Sequence, residues 1–466
     1  MKFFRIPAAL FAAAMLLSVL LTGAVSAATE ETEAGQPIIS SSFDPVAAVG
    51  REYGNAPYSH GQHQTRIVST DTGVYMVILT GNSDSDDFHS NIYNFSVIRV
   101  TPEGETQLLY EDKVYGTSTT AVIMADADGN IWIYSGWTTP NFLISLNVWC
   151  YDVSTGEITL YNDCQKVKGG GGYSAATIDG KVGHIYAFLS GDLYFSWCEF
   201  DIETKQWQKA QSVKTGTRYC YHFAYGDGKG GFYVVNERDV STMGVQSNID
   251  GLRVSDALST YRSRKIDAGF LWDEGHLIHV PDANKNEMDC RIIMPVIFDV
   301  ENGCYPNWTN VKNDLILDEE TGLLYVLVNY DDNVEPGIVD HIFVYDTQND
   351  LALVSHQEIS FLQGQNAAYY HRFFTDTAGN LWLIVLNDAD AHCEIWRGCG
   401  EHKDDFRLVY DGELPGLDMG GTFLLTSSRG GSTPSDVTYC ISYYCSSYRF
   451  FSIDFAALRA FAGIAG

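Results

Sequence analysis

The chain has 466 residues, 45% hydrophobic and 19% charged, and its 59 acidic against 29 basic side chains give a formal net charge of −30. A surface this acidic repels phosphate backbones, whose binding depends on neutralisation by cations, so nucleic acid is excluded as a partner. The charge speaks for solubility and leaves the fold open.

In chain order, residues 1–27 read as a cleavable signal peptide. Lys2 and Arg5 precede an apolar run from Ile6 to Leu21, and Val25-Ser26-Ala27 fits a small-residue cleavage site. The run is short for a spanning helix, and polar residues from Thr29 to Glu33 follow it directly. The mature chain is expected to be secreted and to lack a membrane span, at a charge of −32 once Lys2 and Arg5 are gone. Residues 28–59 are expected to form an N-terminal segment in which Pro37-Ile38-Ile39-Ser40 supplies a ring-closing strand.

From residue 60 to 458 a repeat organises the chain. A bulky apolar residue followed by Asp appears as Tyr151-Asp152, Phe200-Asp201, Ile249-Asp250, Phe298-Asp299, Tyr345-Asp346 and Ile453-Asp454. The steps between the Asp residues are 49, 49, 49, 47 and 108. Each tag ends an alternating apolar run and opens a polar turn, which is the pattern of a hairpin. Earlier in each period lies a Gly turn before an aromatic and β-branched run, clearest in Asp128-Gly129-Asn130-Ile131-Trp132 and Ala378-Gly379-Asn380-Leu381-Trp382. Each unit thus predicts four antiparallel strands A to D, and radial repetition of such units is a β-propeller. The units fall near 60–116, 117–170, 171–217, 218–262, 263–309, 310–362, 364–416 and 417–458. The count is eight blades, or seven if the fourth unit, with its poor strand pair from Val245 to Ser255, is an insertion. Residues 459–466 are expected as a C-terminal tail.

Ten Cys in an exported chain suggest disulfides. Neighbours pair in order: Cys150–Cys164, Cys198–Cys220, Cys290–Cys304, Cys393–Cys399 and Cys440–Cys445. No Cys-x-x-Cys speaks for structural zinc.

In a propeller, strand A lines the channel, and the loops leading into A open on the same face as the B–C loops. Residues just before or at the start of A include His63 and Arg66, Tyr173, Arg218 and His222, and Tyr370, His371 and Arg372. Asp84, Asp86 and Asp87 lie on the B–C loop of the first unit. Arg at a channel mouth suits a carboxylate or sulfate, because its planar fork binds such groups bidentately. Tyr, His and carboxylates beside it can transfer protons. Asn82-x-Asp84-x-Asp86 begins like a calcium loop but has Asp87 where Gly is needed. No metal site is expected, and calcium at an acidic loop is the one cofactor left open.

Gln64-Thr65-Arg66-Ile67-Val68, followed by Thr72-Gly73-Val74-Tyr75, resembles the first strand of the secreted sialidase-like propellers, with Val68 at the family's Pro. Their Asp-box, Ser-x-Asp-x-Gly-x-Thr-Trp, is half matched at Ser69-x-Asp71-x-Gly73. The resemblance implies that Arg66 holds a substrate carboxylate and that Asp84, Asp86 or Asp87 is the acid/base. The His, Tyr and Arg set also looks like that of propeller polysaccharide lyases. There Arg neutralises a uronate, and His or Tyr moves the adjacent proton. His222, His371 and Tyr370 are the candidates for proton transfer, with Arg66, His63, Arg218, Arg372 and Tyr173 as binders. The expected function is binding or cleavage of a sialylated or uronate-containing glycan, by a sialidase-like hydrolase or a lyase if an enzyme. The alternative is a non-catalytic propeller that binds an extracellular protein or has a structural role.

Overall fold

The apolar runs that open each repeat become the inner strands of a ring. The computed structural model describes residues 37–51, 65–80, 92–115, 121–138, 143–167, 172–190, 194–214, 222–236, 274–295, 313–330, 339–360, 369–387, 392–414, 422–444 and 447–464. Blade one is β1 (Ile67–Thr70), β2 (Gly73–Thr80), β3 (Ile92–Val100) and β4 (Thr106–Tyr115). Blade two is β5 (Val122–Ala125), β6 (Ile131–Thr138), β7 (Ile144–Tyr151) and β8 (Ile158–Gln165). Blade three is β9 (Gly172–Asp179), β10 (His184–Ser190) and β11 (Tyr194–Asp201), with an outer strand in two pieces, β12 (Gln206–Trp207) and β13 (Gln211–Lys214). Blade four is β14 (Phe223–Gly226), β15 (Phe232–Asn236), β16 (Glu274–Val280) and β17 (Asp289–Pro295). Blade five is β18 (Asp314–Asp318), β19 (Leu323–Tyr330), β20 (Val339–Asp346) and β21 (Ala352–Ser360). Blade six is β22 (Tyr369–Thr375), β23 (Leu381–Asn387), β24 (His392–Cys399) and β25 (Asp405–Glu413). Blade seven is β26 (Thr422–Leu425), β27 (Val437–Tyr444) and β28 (Ser447–Asp454). Each inner strand touches the next, and β26 returns to β1. The fold is an all-β propeller of seven blades.

Eight repeats condense to seven blades because the fourth and fifth units share one sheet. The first pair of strands, β14 and β15, comes from the unit at 218–262, and the second pair, β16 and β17, from the unit at 263–309. The tags Ile249-Asp250 and Phe298-Asp299 lie outside the described residues. The turn between β16 and β17 carries Asp282 instead, which accepts the Asn284 N–H at 3.0 Å.

Where the tags are described, their Asp shapes a turn by accepting backbone N–H groups just ahead of it. Asp152 takes Ser154 and Thr155 at 2.8 and 3.1 Å, and Asp201 takes Glu203 and Thr204 at 2.8 and 3.0 Å. The last tag differs. Asp454 accepts the Ala457 N–H at 2.9 Å and opens a helix, so α2 (Phe455–Phe461), which follows a short α1 (Pro45–Ala48), runs from the end of the last repeat into the residues expected as a tail.

The A–B turns use a second Asp device. Asp126 accepts the Asn130 N–H at 2.9 Å and the Trp132 indole N–H at 2.8 Å; Asp376 repeats this with Asn380 at 2.8 Å and Trp382 at 3.0 Å. Gly129 and Gly379, at φ +80° and +76°, allow each turn to close without a Cβ penalty. The indoles that result, Trp132 and Trp382, are fully buried.

The core is a set of wedges between adjacent sheets. Val68, Phe95 and Trp149 pack between blades one and two; Trp132, Ile185 and Phe200 between two and three; Phe188, Trp197 and Phe232 between three and four. Each fully buried Leu, Ile or Phe contributes roughly 2 kcal/mol relative to exposure. Blade seven, which has three strands of its own, is completed by the N-terminal segment. Ile39 pairs with Ile453 and Phe43 with Phe450, and the Asp454 N–H donates to Ile38 O at 2.8 Å. An exposed edge of β28 is thereby covered.

The expected disulfides within a strand or hairpin do not form. Cys150, Cys164, Cys198, Cys393, Cys399 and Cys440 are free thiols. Register explains the first pair: Cys150 faces Thr159 and Cys164 faces Ser145, so the two sulfurs belong to different rungs of β7 and β8. Cys393 and Cys399 share the extended strand β24 and cannot meet. Cys220, Cys304 and Cys445 lie outside the described residues, as does the side chain of Cys290. Among the described residues, no helix is long and apolar enough to cross a membrane.

Candidate functional site

The sequence expectation was a shared register at the start of strand A, and four of the named side chains are described there. Arg66 directly precedes β1 and is buried; its carbonyl accepts the Val77 N–H at 2.9 Å, and that of Thr65 accepts the Ile123 N–H of blade two at 2.9 Å. His222 precedes β14, and His371 and Arg372 lie in β22; all three are buried. Tyr173 and Tyr370 fall within β9 and β22 at the same end of their strands, with side chains outside the described set. His63, Arg218, Asp84, Asp86 and Asp87 lie outside the described residues, as does the calcium-like loop.

The structure gathers Arg372 with groups from three other blades. Its Nη1 donates to His371 O at 2.6 Å and to Asn313 O, at the start of blade five, at 3.4 Å. Its guanidinium carbon lies 5.6 Å from the centre of the Phe223 ring of blade four. A second guanidinium, from Arg429 of blade seven, lies 5.4 Å from the same ring. Both distances are within cation–π range, where a buried ring face attracts a cation. Asp314 answers this charge: Oδ1 is 3.3 Å from Arg429 Nη1, while Oδ2 accepts the Phe373 N–H of blade six at 2.9 Å. Burial presses the Arg429 guanidinium below its ordinary value, and Asp314 pulls it back up.

His222 is not part of that group. Its ring packs 5.9 and 5.3 Å from Phe188 and Phe195 of blade three, so it faces an aromatic layer while its neighbour Phe223 faces the two arginines. Adjacent residues on a strand point to opposite sides, which is why two positions with one register serve two interfaces.

Arg429 reaches the channel on an unusually long connection from β26 to β27. A single 3-10 turn, Ser428–Gly430, rests against β5, β9 and β14. The Thr177 hydroxyl of blade three donates to Arg429 O at 2.8 Å, and the Thr433 N–H donates to Ser69 O of blade one at 2.9 Å. At Gly430 an added Cβ would overlap Thr65, and at Gly431 it would overlap the carbonyl oxygen of Ala125 in blade two. The connection therefore fills the channel from the A–B face and puts a cation at its centre. Sequence reasoning missed Arg429 and Asp314. The available signal was the length of the segment from Thr426 to Asp436, which departs from the short Asp-turns of the other blades.

A cavity of about 300 Å³ lies beside this plug on the A–B face, lined by Tyr225, Ile316, Phe374, Asp376, Ser428 and Thr433 among others. It sits at the opposite end from the starts of the A strands. Its acids are already engaged: Asp376 with Arg459 at 2.6 Å and Asp318 with Lys403 at 2.6 Å.

No protein-family model matches the chain, and no curated protein matches it in sequence. Solved structures do match. The polysaccharide lyase Uly1 is similar at TM-score 0.50 and 10% identity, over 87% of this chain and 92% of that one. An α-L-arabinofuranosidase from Fusarium graminearum is similar at TM-score 0.43 and 7% identity, over 90% of this chain and 99% of that one. A Synechocystis apocarotenoid oxygenase is similar at TM-score 0.41 and 9% identity, over 76% and 71%. At these identities the likeness is one of fold.

Proposed function

We propose that the protein is a secreted propeller that binds or cleaves anionic carbohydrate, sialylated or uronate-containing, at the channel end where the A strands begin. The observation that carries this reading is the placement of cationic residues. In a chain of net charge −30, Arg66, His222, His371 and Arg372 all take A-strand starts, with Arg429 behind them and Asp314 as the carboxylate that meets Arg429. A guanidinium held in place by backbone carbonyls is pre-organised for a carboxylate. In this reading Arg66 and Arg372, with His63, Arg218 and Tyr173, bind the acid group. His371, Tyr370 or one of Asp84, Asp86 and Asp87 moves the proton, while His222 packs against blade three and takes no part. Uly1, a polysaccharide lyase with a similar fold, is compatible with this assignment without specifying it.

The test is a glycan array of sialylated, uronate-containing and neutral oligosaccharides, probed with wild-type protein at low and high salt, with products analysed by mass spectrometry. Binding confined to anionic glycans and weakened by salt is expected, since the contact is electrostatic. Arg372→Lys keeps the charge but loses the fork, and should weaken binding about tenfold in protein that circular dichroism shows to be folded. Retention of neutral glycans to the same degree, or of none, overturns the reading. Binding without any change in glycan mass assigns a binding protein rather than an enzyme.

A further inference from the structure

Blade five carries an independent cluster on its outer edge, in the two strands of its sheet farthest from the channel. In the register of β20 and β21, His341 stands opposite Glu358 and Phe343 opposite His356. Alternation along a strand puts all four side chains on one face of the pair. The other face is used for packing: Gln357 accepts the Phe406 N–H of blade six at 2.8 Å. The first face is therefore turned away from blade six.

On that face His341 Nδ1 is 3.0 Å from His356 Nε2 and 3.8 Å from Glu358 Oε1. One ligand atom from each residue fits within 4.8 Å of the other two. Phe343 holds the geometry. Its ring stacks on His356 with centroids 4.3 Å apart and planes at 2°, and His341 stacks on His356 at 5.3 Å and 16°. The His341 side chain is 10% exposed and the Glu358 side chain 63%, so the cluster has a fixed inner member and an open outer side.

We propose that His341, His356 and Glu358 form a binding site for a divalent transition metal, zinc in particular. Two imidazoles and one carboxylate are the donor set of three-ligand zinc sites, which leave a fourth position open to water. With bonds of about 2.0–2.1 Å in tetrahedral geometry, ligand atoms are roughly 3.3 Å apart, and the 3.0 and 3.8 Å distances bracket that value. Calcium and magnesium take oxygen donors and have little use for two imidazoles. At 3.0 Å the two facing ring nitrogens are within hydrogen-bond distance, and a bound metal would take the place of the proton between them. His356-x-Glu358 is visible in sequence, but its partner comes from across the hairpin, and no metal ligand was expected here. The bound ion would clip the outermost strand of blade five to its neighbour.

The experiment uses tag-free, EDTA-treated, full-length mature protein. It is titrated with zinc chloride by calorimetry and melted with and without the metal. One equivalent should bind with a Kd in the micromolar range or tighter, and the melting temperature should rise with zinc while calcium and magnesium leave it unchanged. His356→Ala and Glu358→Gln alter exposed side chains, and should melt like wild type without metal but bind zinc at least about tenfold more weakly. Absence of saturable binding near one equivalent overturns the proposal. So does equal zinc affinity in both variants, which would place the ion elsewhere in the chain.

Discussion

Blades two and seven make the same connection, from strand A to strand B, with opposite means. In blade two, five residues separate Ala125 from Ile131, and Asp126 binds Asp128 and Asn130 within that stretch and Trp132 just beyond it. In blade seven, eleven residues separate Leu425 from Val437, and their partners include Ser69, Thr177, Phe223 and Asp314 on four other blades. The first turn is a local device that could be excised with its blade. The second has meaning only once the ring is closed around it, and converts a turn into a fastener for the channel.

The sharpest way to break this comparison is to remove the fastener's charge. Arg429→Met leaves Asp314 buried against the Phe373 N–H without its guanidinium. Breaking a buried pair by deleting one member costs about 3–5 kcal/mol, because the other charge stays desolvated. Urea unfolding should show a loss of that order, and Asp314→Asn in the same chain should recover part of it. A loss below about 1 kcal/mol would mean that the plug is merely resting in the channel.

What was readable in the sequence follows the same division. The period, the strand order within blades and the channel-facing starts of strand A were legible because each is written locally and repeated. The blade count was harder: Ile249-Asp250 keeps the 49-residue step although the units around it supply one sheet between them. Disulfide pairing failed because spacing of 14 residues in a hairpin does not fix register, and Cys150 and Cys164 fall on different rungs. Arg429 and Asp314 were invisible because they are 115 residues apart and meet across the channel. The positions of Arg66, His371 and Arg372 near the starts of their A strands were legible from register, whereas the choice of His222 to face blade three depends on aromatic packing that no local pattern encodes.

Two glycines sharpen the contrast by holding backbone conformation nearly constant. Gly129 in the short turn has φ +80° with open space around a built Cβ, and Gly431 in the plug has φ +78° against Ala125 and Ile178. Gly129→Ala should cost about 1–2 kcal/mol, the penalty of a left-handed conformation. Gly431→Ala bears that penalty and an overpacking cost of about 1–3 kcal/mol besides. Equal losses in the two variants would show that the plug can back out of the channel to make room.

The smallest effect is expected where the long connection ends, at Asp436. Its Oδ1 accepts Arg459 Nη1 at 3.0 Å and its Oδ2 accepts Nη2 at 3.1 Å, while the Thr377 hydroxyl donates to it at 2.6 Å from the short turn of blade six. The bonds to Arg459 come first in holding the carboxyl down at about 2, against a burial contribution that raises it, with Thr377 helping. A carboxylate depressed in the folded state stabilises fully above its ordinary value near ~4, and that contribution is lost as pH falls toward ~2. The side chain is 31% exposed, so solvent screens the pair and Asp436→Asn should cost under about 1 kcal/mol at neutral pH. Between roughly pH 4 and 2, wild type should lose stability faster than the variant, because only wild type has this proton to take up. Arg459 also donates to the buried Asp376 at 2.6 Å, so the variant keeps the helix anchored to blade six while its link to the plug is loosened. Matching acid-unfolding profiles for the two proteins would place the anchoring of the C-terminal helix in Asp376 alone.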